Sequence, residues 1–164
     1  MTKRAKSRSD VQQAVEAEML TTFGQERGIT WCEPADVDGL AELGIKLDGV
    51  AVRADGTIII AEAWAHQGRA NGSQPHKVAG DVLKLSHAAS VLRAKGKKVE
   101  AFMLFACSDA ARVLTKSGWR GAAAKHFDVK PKVITIDDAT RERILEAQRN
   151  QNFFRADPSE GSQQ

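Results

Sequence analysis

Residues 47–64, LDGVAVRADGTIIIAEAW, predict a β-hairpin that has one acid on each strand. A three-residue Ala-Asp-Gly loop pairs Arg53 with Thr57, and counting outward from that pair sets Asp48 opposite Glu62. Directly opposed side chains of an antiparallel pair lie about 5 Å apart at Cβ. Because an acid pair on an apolar face is costly unless a positive charge neutralises it, the pattern favours a divalent metal ion at the two carboxylates.

The period-two alternation gives the hairpin two different faces. The acids share one face with four β-branched side chains: Val50, Val52, Ile58 and Ile60. Small residues line the reverse face of the second strand and suit close packing under a helix: Ala61, Ala63 and Ala65. The alternative is a two-residue Asp-Gly turn, which would set Ala63 opposite Asp48 instead.

Helices and further strands flank the hairpin in an order typical of α/β domains. The predicted elements are a helix at 11–23 capped by Ser9-Asp10, a short strand at 29–32, hairpin strands at 45–53 and 57–65, a helix at 75–95, a strand at 99–106, a helix extending in broken form from 108 to 126, a strand at 132–136, and a helix from Asp137 or Asp138 to 149. We expect one α/β domain over residues 10–150, with a disordered basic arm at 1–9 and a disordered tail at 151–164.

Composition and charge are those of an ordinary globular chain with one basic end. The 164 residues are 42% apolar and 27% charged, with a formal net charge of +3. Residues 1–10 account for that charge, so the arm offers non-specific attraction to phosphates.

No apolar run approaches the ~18 residues of a membrane span. Cys32 and Cys107 lie far apart, which predicts free thiols in a reducing cytoplasm. The chain contains no P-loop, dinucleotide fingerprint, nucleophile elbow or zinc pattern.

A helix, an acid-bearing hairpin, a second helix and a buried strand together resemble the PD-(D/E)xK, or restriction-endonuclease-like, nuclease superfamily over about residues 10–107. The resemblance implies a central mixed β-sheet flanked by helices. It also implies that Asp48 and Glu62 bind Mg²⁺ or Mn²⁺, with the main-chain carbonyl of Ala63 as a further ligand. Mg²⁺ keeps several waters, so two carboxylates and a substrate phosphate suffice. The ion would polarise the phosphate and lower the pKa of a bound water.

The superfamily places a lysine two residues after its second acid, and this chain has Trp64 there. Some members have the lysine on the following helix instead. The resemblance then implies Lys77 as the catalytic lysine, because Lys77 lies closer to the acids along the chain. Lys84 lies on nearly the same helical face, with Asp81 between them at i+4 from Lys77.

Further site residues are expected on the first helix and around the second. Many members of the superfamily use a glutamate of the first helix, and of Glu16 and Glu18 we prefer Glu18. Three side chains are candidates for contacts with nucleic acid: Gln74, His76 and Lys84. His66 shares the Glu62 face and is a candidate ligand or proton carrier. Trp119 is either a base-stacking residue or an amphipathic surface anchor.

The resemblance predicts a Mg²⁺-dependent nuclease that hydrolyses phosphodiester bonds in DNA, with RNA as the other substrate. A homodimer or a larger defence or repair complex would supply specificity. One alternative is a catalytically inactive protein of this fold that binds nucleic acid or a protein partner. Another is a structural subunit in which the acids belong to a buried ionic network, with Glu62 paired to Lys77 or Arg93.

Overall fold

Five strands form one open mixed sheet, and the predicted hairpin supplies two of them. The structure is a computed structural model that describes residues 8–153 of the chain. Its elements are α1 (Arg8–Arg27), β1 (Trp31–Cys32), two short 3₁₀ turns (Pro34–Asp36 and Ala41–Leu43), β2 (Gly49–Val52), β3 (Ile58–Trp64), α2 (Gln74–Ala94), β4 (Val99–Phe105), α3 (Ser108–Thr115), α4 (Trp119–His126), β5 (Val129–Val133) and α5 (Asp138–Phe153). The predicted arm and tail lie largely outside the described residues, although α1 includes Arg8 and Ser9, and α5 extends to Phe153.

The sheet order is β1-β2-β3-β4-β5, antiparallel from β1 to β3 and parallel from β3 to β5. The hairpin register is the predicted one, since Gly49 lies opposite Ala61 and the Arg53 N–H donates to the Thr57 carbonyl at 2.9 Å. Gly56 has φ +79°, as a three-residue hairpin loop requires of its last position. Extended by one residue pair beyond β2, this register sets Asp48 opposite Glu62.

Helices cover both faces of the sheet and divide the core in two. On one face α2 packs on the side chains that share the alternation of Glu62, including Val50, Ile58 and Ile60. On the other face α1 and α5 pack over the small residues of β3, which confirms the predicted role of those alanines. Val52 is a correction to the predicted apolar face: it is 51% exposed because it ends β2 beside the turn. In residues 8–153, no helix combines the length and the apolar character that crossing a membrane requires.

The last strand differs from its prediction. It spans Val129–Val133 rather than 132–136, because Pro131 is compatible with an edge strand and does not end it. Ile134 lies just beyond β5, where it is buried and its N–H donates to the Phe105 carbonyl at 2.8 Å. Of the two predicted caps of α5, Asp137 and Asp138, the structure selects Asp137, since its Oδ1 accepts the Thr140 N–H at 2.6 Å.

Replacing Gly121 by alanine is expected to destabilise the fold by about 2 kcal/mol, as overpacking does. A Cβ there would lie 2.6 Å from the backbone oxygen of Leu114, and a backbone atom cannot rotate away. Gly80 in α2 is the matched control, because a Cβ there meets nothing within 4 Å. Gly80→Ala should gain about 0.5–1 kcal/mol from helix propensity. Urea unfolding of both variants measures the difference, and equal stabilities would contradict the close approach of Gly121 to the Leu114 backbone.

Candidate active site

The hairpin register brings Asp48 and Glu62 together, and two crossed hydrogen bonds hold them. The Asp48 N–H donates to Glu62 Oε1 at 3.2 Å, and the Ala63 N–H donates to Asp48 Oδ2 at 3.0 Å. The Glu62 side chain is only 4% exposed, whereas Asp48 is exposed to solvent. The site therefore has a buried carboxylate in the sheet and an open carboxylate at its entrance.

Lys84 is the lysine that reaches the acid pair. Its Nζ lies 2.6 Å from Glu62 Oε2 and 3.6 Å from Asp81 Oδ1. Lys77 instead pairs with Asp81, at 3.2 Å from Oδ2. The preference for Lys77 is thus corrected at the level of contact. Arg93, the other expected partner of Glu62, donates to the Val99 carbonyl and pairs with Asp128.

The course of α2 explains why the more distant lysine is the closer one in space. The helix connects parallel strands, so it must run back along the sheet from the carboxyl end of β3. Lys77 lies at that end, where it lines a cavity of about 160 Å³ with Trp64 and His66. Lys84 lies seven residues later, which is about 10 Å back along the helix axis. That displacement returns it to the level of Glu62.

The electrostatics of the pair are dominated by burial. Burial raises the pKa of Glu62 from its ordinary 4.5 to about 7; the charges of Asp48 and Asp81 add to this, while Lys84 opposes it. Burial alone would lower the pKa of Lys84, but the hydrogen bond from Lys84 to Glu62 and the nearby acids outweigh it and raise that pKa. Three carboxyls thus act on one half-buried ammonium group, and the site favours additional positive charge.

Glu16 is the acid of α1 that lies near the carboxyl end of β3, and this position corrects the preference for Glu18. Glu16 Oε1 accepts the Ala65 N–H at 3.3 Å, and burial raises the pKa of Glu16. Asp48 and Lys77 are close enough to act on that pKa as charges. Glu18 instead pairs with Arg143 at 2.8 Å, because α5 packs against its side of α1. Sequence spacing alone left this choice open, since the position of α5 decides it.

The remaining predicted residues lie around the start of α2. Gln74 Oε1 accepts the Asn71 N–H at 2.9 Å, so that side chain closes the preceding loop. His76 is exposed in the first turn of α2. His66 is buried and stacks on Trp64 with ring centroids 4.7 Å apart, and burial lowers its pKa. None of the contacts found for these three residues in the described part of the chain is with the Asp48–Glu62 pair.

The acid pair has the donor chemistry that a Mg²⁺ ion accepts. Among the described residues, no group of three His, Cys, Asp or Glu side chains is arranged to hold a metal ion by itself. Two carboxylates and one main-chain carbonyl are enough, however, when waters and substrate complete the shell. Each carboxylate oxygen has two lone pairs, so Glu62 Oε1 keeps capacity beyond the N–H that it accepts. The residues therefore fit such an ion, which would share Glu62 with Lys84.

Glu62→Gln is expected to stabilise the metal-free protein at high pH. A carboxyl whose folded pKa lies above its unfolded pKa loses stabilising influence as the pH rises through the folded value. The wild type should therefore lose about 2–3 kcal/mol relative to Glu62→Gln between pH 5 and pH 8. Urea unfolding in EDTA at several pH values measures this, and parallel stability profiles would contradict the buried ionisation of Glu62.

Comparison with known proteins assigns this chain to no family. No family model, no curated protein and no solved structure matches it. Its function therefore has to be inferred from the geometry of Asp48, Glu62 and Lys84.

Proposed function

We propose that the protein is a Mg²⁺-dependent nuclease with a restriction-endonuclease-like core that hydrolyses phosphodiester bonds in DNA. The observation that favours this most is the 2.6 Å contact between Lys84 Nζ and Glu62 Oε2. The superfamily needs two acids and a lysine at one point, and in this chain the helix after the hairpin supplies the lysine that position 64 lacks. The element order supports the same proposal, since α1, the β1-β2-β3 meander, α2 and β4 follow one another as in that core.

The residues of the site divide the chemical work between them. Asp48, Glu62 and the Ala63 carbonyl would hold the ion, which when bound supplies Lewis-acid polarisation of the phosphate and an acidified water. Lys84 has three donor hydrogens, and its hydrogen bond to Glu62 uses one of them. The others are available to a phosphate oxygen as negative charge develops on it. The hairpin and α2 hold these groups before substrate arrives, so little reorganisation is needed.

A catalytically inactive binding protein of the same fold is the second candidate. Two observations favour it: Trp64 is buried at the position of the superfamily's lysine, and both oxygens of Glu62 are already hydrogen-bonded. In that case the acid pair and Lys84 would form a structural ion pair, and any nucleic-acid binding would not require a divalent ion.

Incubation with supercoiled plasmid, single-stranded DNA and RNA tests the proposal. Cleavage is expected with Mg²⁺ or Mn²⁺ and none with EDTA, and DNA is expected to be cut faster than RNA. Salt-dependent binding without cleavage under any condition would favour the inactive protein. Neither binding nor cleavage would leave the acids as a buried ionic network. Cleavage that persists in EDTA would overturn the metal-dependent mechanism.

A further inference from the structure

A basic pocket with an exposed tryptophan lies beside the loop that connects β3 to α2. We call it the Trp119 pocket, and its volume is about 280 Å³. The β3–α2 loop, α3, the segment after α3 and the start of α4 bring together the side chains of greatest interest: Arg69, Asp109, Arg112, Lys116, Trp119 and Arg120. Two regions that are far apart in sequence thus meet at one cavity.

The aromatic part of the pocket is open to a planar ligand. Trp119 is 63% exposed, although a tryptophan gains much from burial. The guanidinium carbon of Arg120 lies 4.6 Å from the centroid of the Trp119 ring, which is cation–π distance. An aromatic ring held by an arginine at the surface is the type of platform on which unpaired bases stack.

The charge of the pocket favours an anion. Four cationic side chains and one acidic side chain line the pocket. Within the described residues, the ion pair that involves these cations joins Arg112 to Asp109, at 4.0 Å. The Nε atom of Arg120 is buried and has no hydrogen-bond partner. A buried donor without a partner is uncommon in native proteins.

The pocket also adjoins the first turn of α2, the helix that supplies Lys84. Arg69 and Pro75 line it, and the loop that holds Arg69 follows Trp64, two residues beyond Glu62. Pro75 belongs to the first turn of α2, the helix that supplies Lys84. The pocket therefore lies near the carboxyl end of β3, the end of the parallel strands at which ligands of open α/β sheets bind.

We infer that the Trp119 pocket binds single-stranded nucleic acid, with one unpaired base stacked on Trp119 and flanking phosphates held by Arg69, Arg112 and Lys116. The inference deepens the proposed nuclease function and takes nucleic acid as the ligand from it. It assigns the preferred form of the substrate, because a base inside a duplex is not available for stacking on a side chain. Single-stranded or flapped segments are therefore bound more tightly than a continuous duplex.

Fluorescence anisotropy with a labelled oligothymidylate of about 12 nucleotides tests this, in EDTA so that binding is separated from cleavage. Trp119→Ala is expected to weaken binding about tenfold or more, while Trp119→Phe keeps most of the affinity because it keeps a stacking ring. Lys116→Ala should reduce the salt slope by about 0.7, the value for one phosphate of a single strand. A duplex of equal length should bind more weakly, and its binding should respond little to Trp119→Ala.

Lys97→Ala is the control that removes an equal charge. Lys97 is exposed in the connection before β4, at the amino end of the parallel strands, whereas the pocket lies near their carboxyl end. It should change affinity less than about twofold. Unchanged single-strand affinity in Trp119→Ala, or an equal loss in Lys97→Ala, would overturn the pocket while a Glu62-dependent cleavage activity stood. Loss of binding in Trp119→Ala, with no cleavage by the wild type in Mg²⁺, would support the pocket and refute the nuclease.

Discussion

Replacing Glu62 by glutamine is expected to lower the rate of Mg²⁺-dependent DNA cleavage about a thousandfold, which corresponds to ~4 kcal/mol of transition-state stabilisation. Glutamine keeps the size of the side chain and an oxygen that can accept the Asp48 N–H, so the hairpin geometry is preserved. The negative charge that would hold the ion is lost. Single-turnover nicking of plasmid at several Mg²⁺ concentrations measures the effect, together with the Mg²⁺-induced rise in Tm, which should disappear.

Glu100→Gln is the matched control for this result. Glu100 lies on β4, the neighbouring strand, and is half-buried, but its partners are Arg53 at 3.0 Å and Arg27 at 3.8 Å. Its substitution should leave cleavage within about threefold of the wild type, since no reacting group is near. If Glu62→Gln cleaved DNA at the wild-type rate, Glu62 would not be a catalytic residue, and the resemblance to the superfamily would lose its main support.

Lys84→Met is expected to lower the cleavage rate about a hundredfold or more, in the range of a lost electrostatic contact to the transition state. Methionine keeps the apolar stem but removes the ammonium group that lies 2.6 Å from Glu62. The same change leaves the buried carboxyl without its cationic partner, so the pKa of Glu62 should rise further and the protein should lose stability at high pH. A single-turnover cleavage assay measures the loss of rate, and urea unfolding at several pH values measures the loss of stability.

Lys77→Met distinguishes contact from proximity along the chain. Lys77 pairs with Asp81 and its side chain is 53% exposed, so its removal should cost less than about tenfold in cleavage rate. A larger loss in Lys77→Met than in Lys84→Met would show that the first-turn lysine acts on the substrate, and would refute Lys84 as the lysine that stabilises the transition state.

The sequence was sufficient for the hairpin because its register depends on local chemistry. The Ala-Asp-Gly loop fixes the pairing, and the alternation then determines which side chains share a face with Glu62. The prediction failed where a long-range arrangement decides. Lys84 replaces Lys77 at Glu62 because α2 returns along the sheet. The spacing from Asp81 does not separate the two lysines, since both pair with it.

The acid of the first helix shows the same limit. Glu16 and Glu18 flank one apolar stripe, and only the docking of α5, which brings Arg143 to Glu18, separates them. The last strand was misplaced for a different reason. A run of β-branched residues predicted it at 132–136, whereas the edge position of β5 tolerates Pro131 and lets the strand begin at Val129.

The composition of β5 has a consequence for self-association. The strand is VKPKV, and its last four residues are exposed. Pro131 has no N–H to offer a neighbouring strand, and Lys130 and Lys132 place like charges where a second copy would align. At the opposite edge β1 has only two residues. Neither edge of the sheet formed by residues 8–153 favours pairing with a strand of another molecule, so self-association of this part of the chain is expected to use its helices or loops instead.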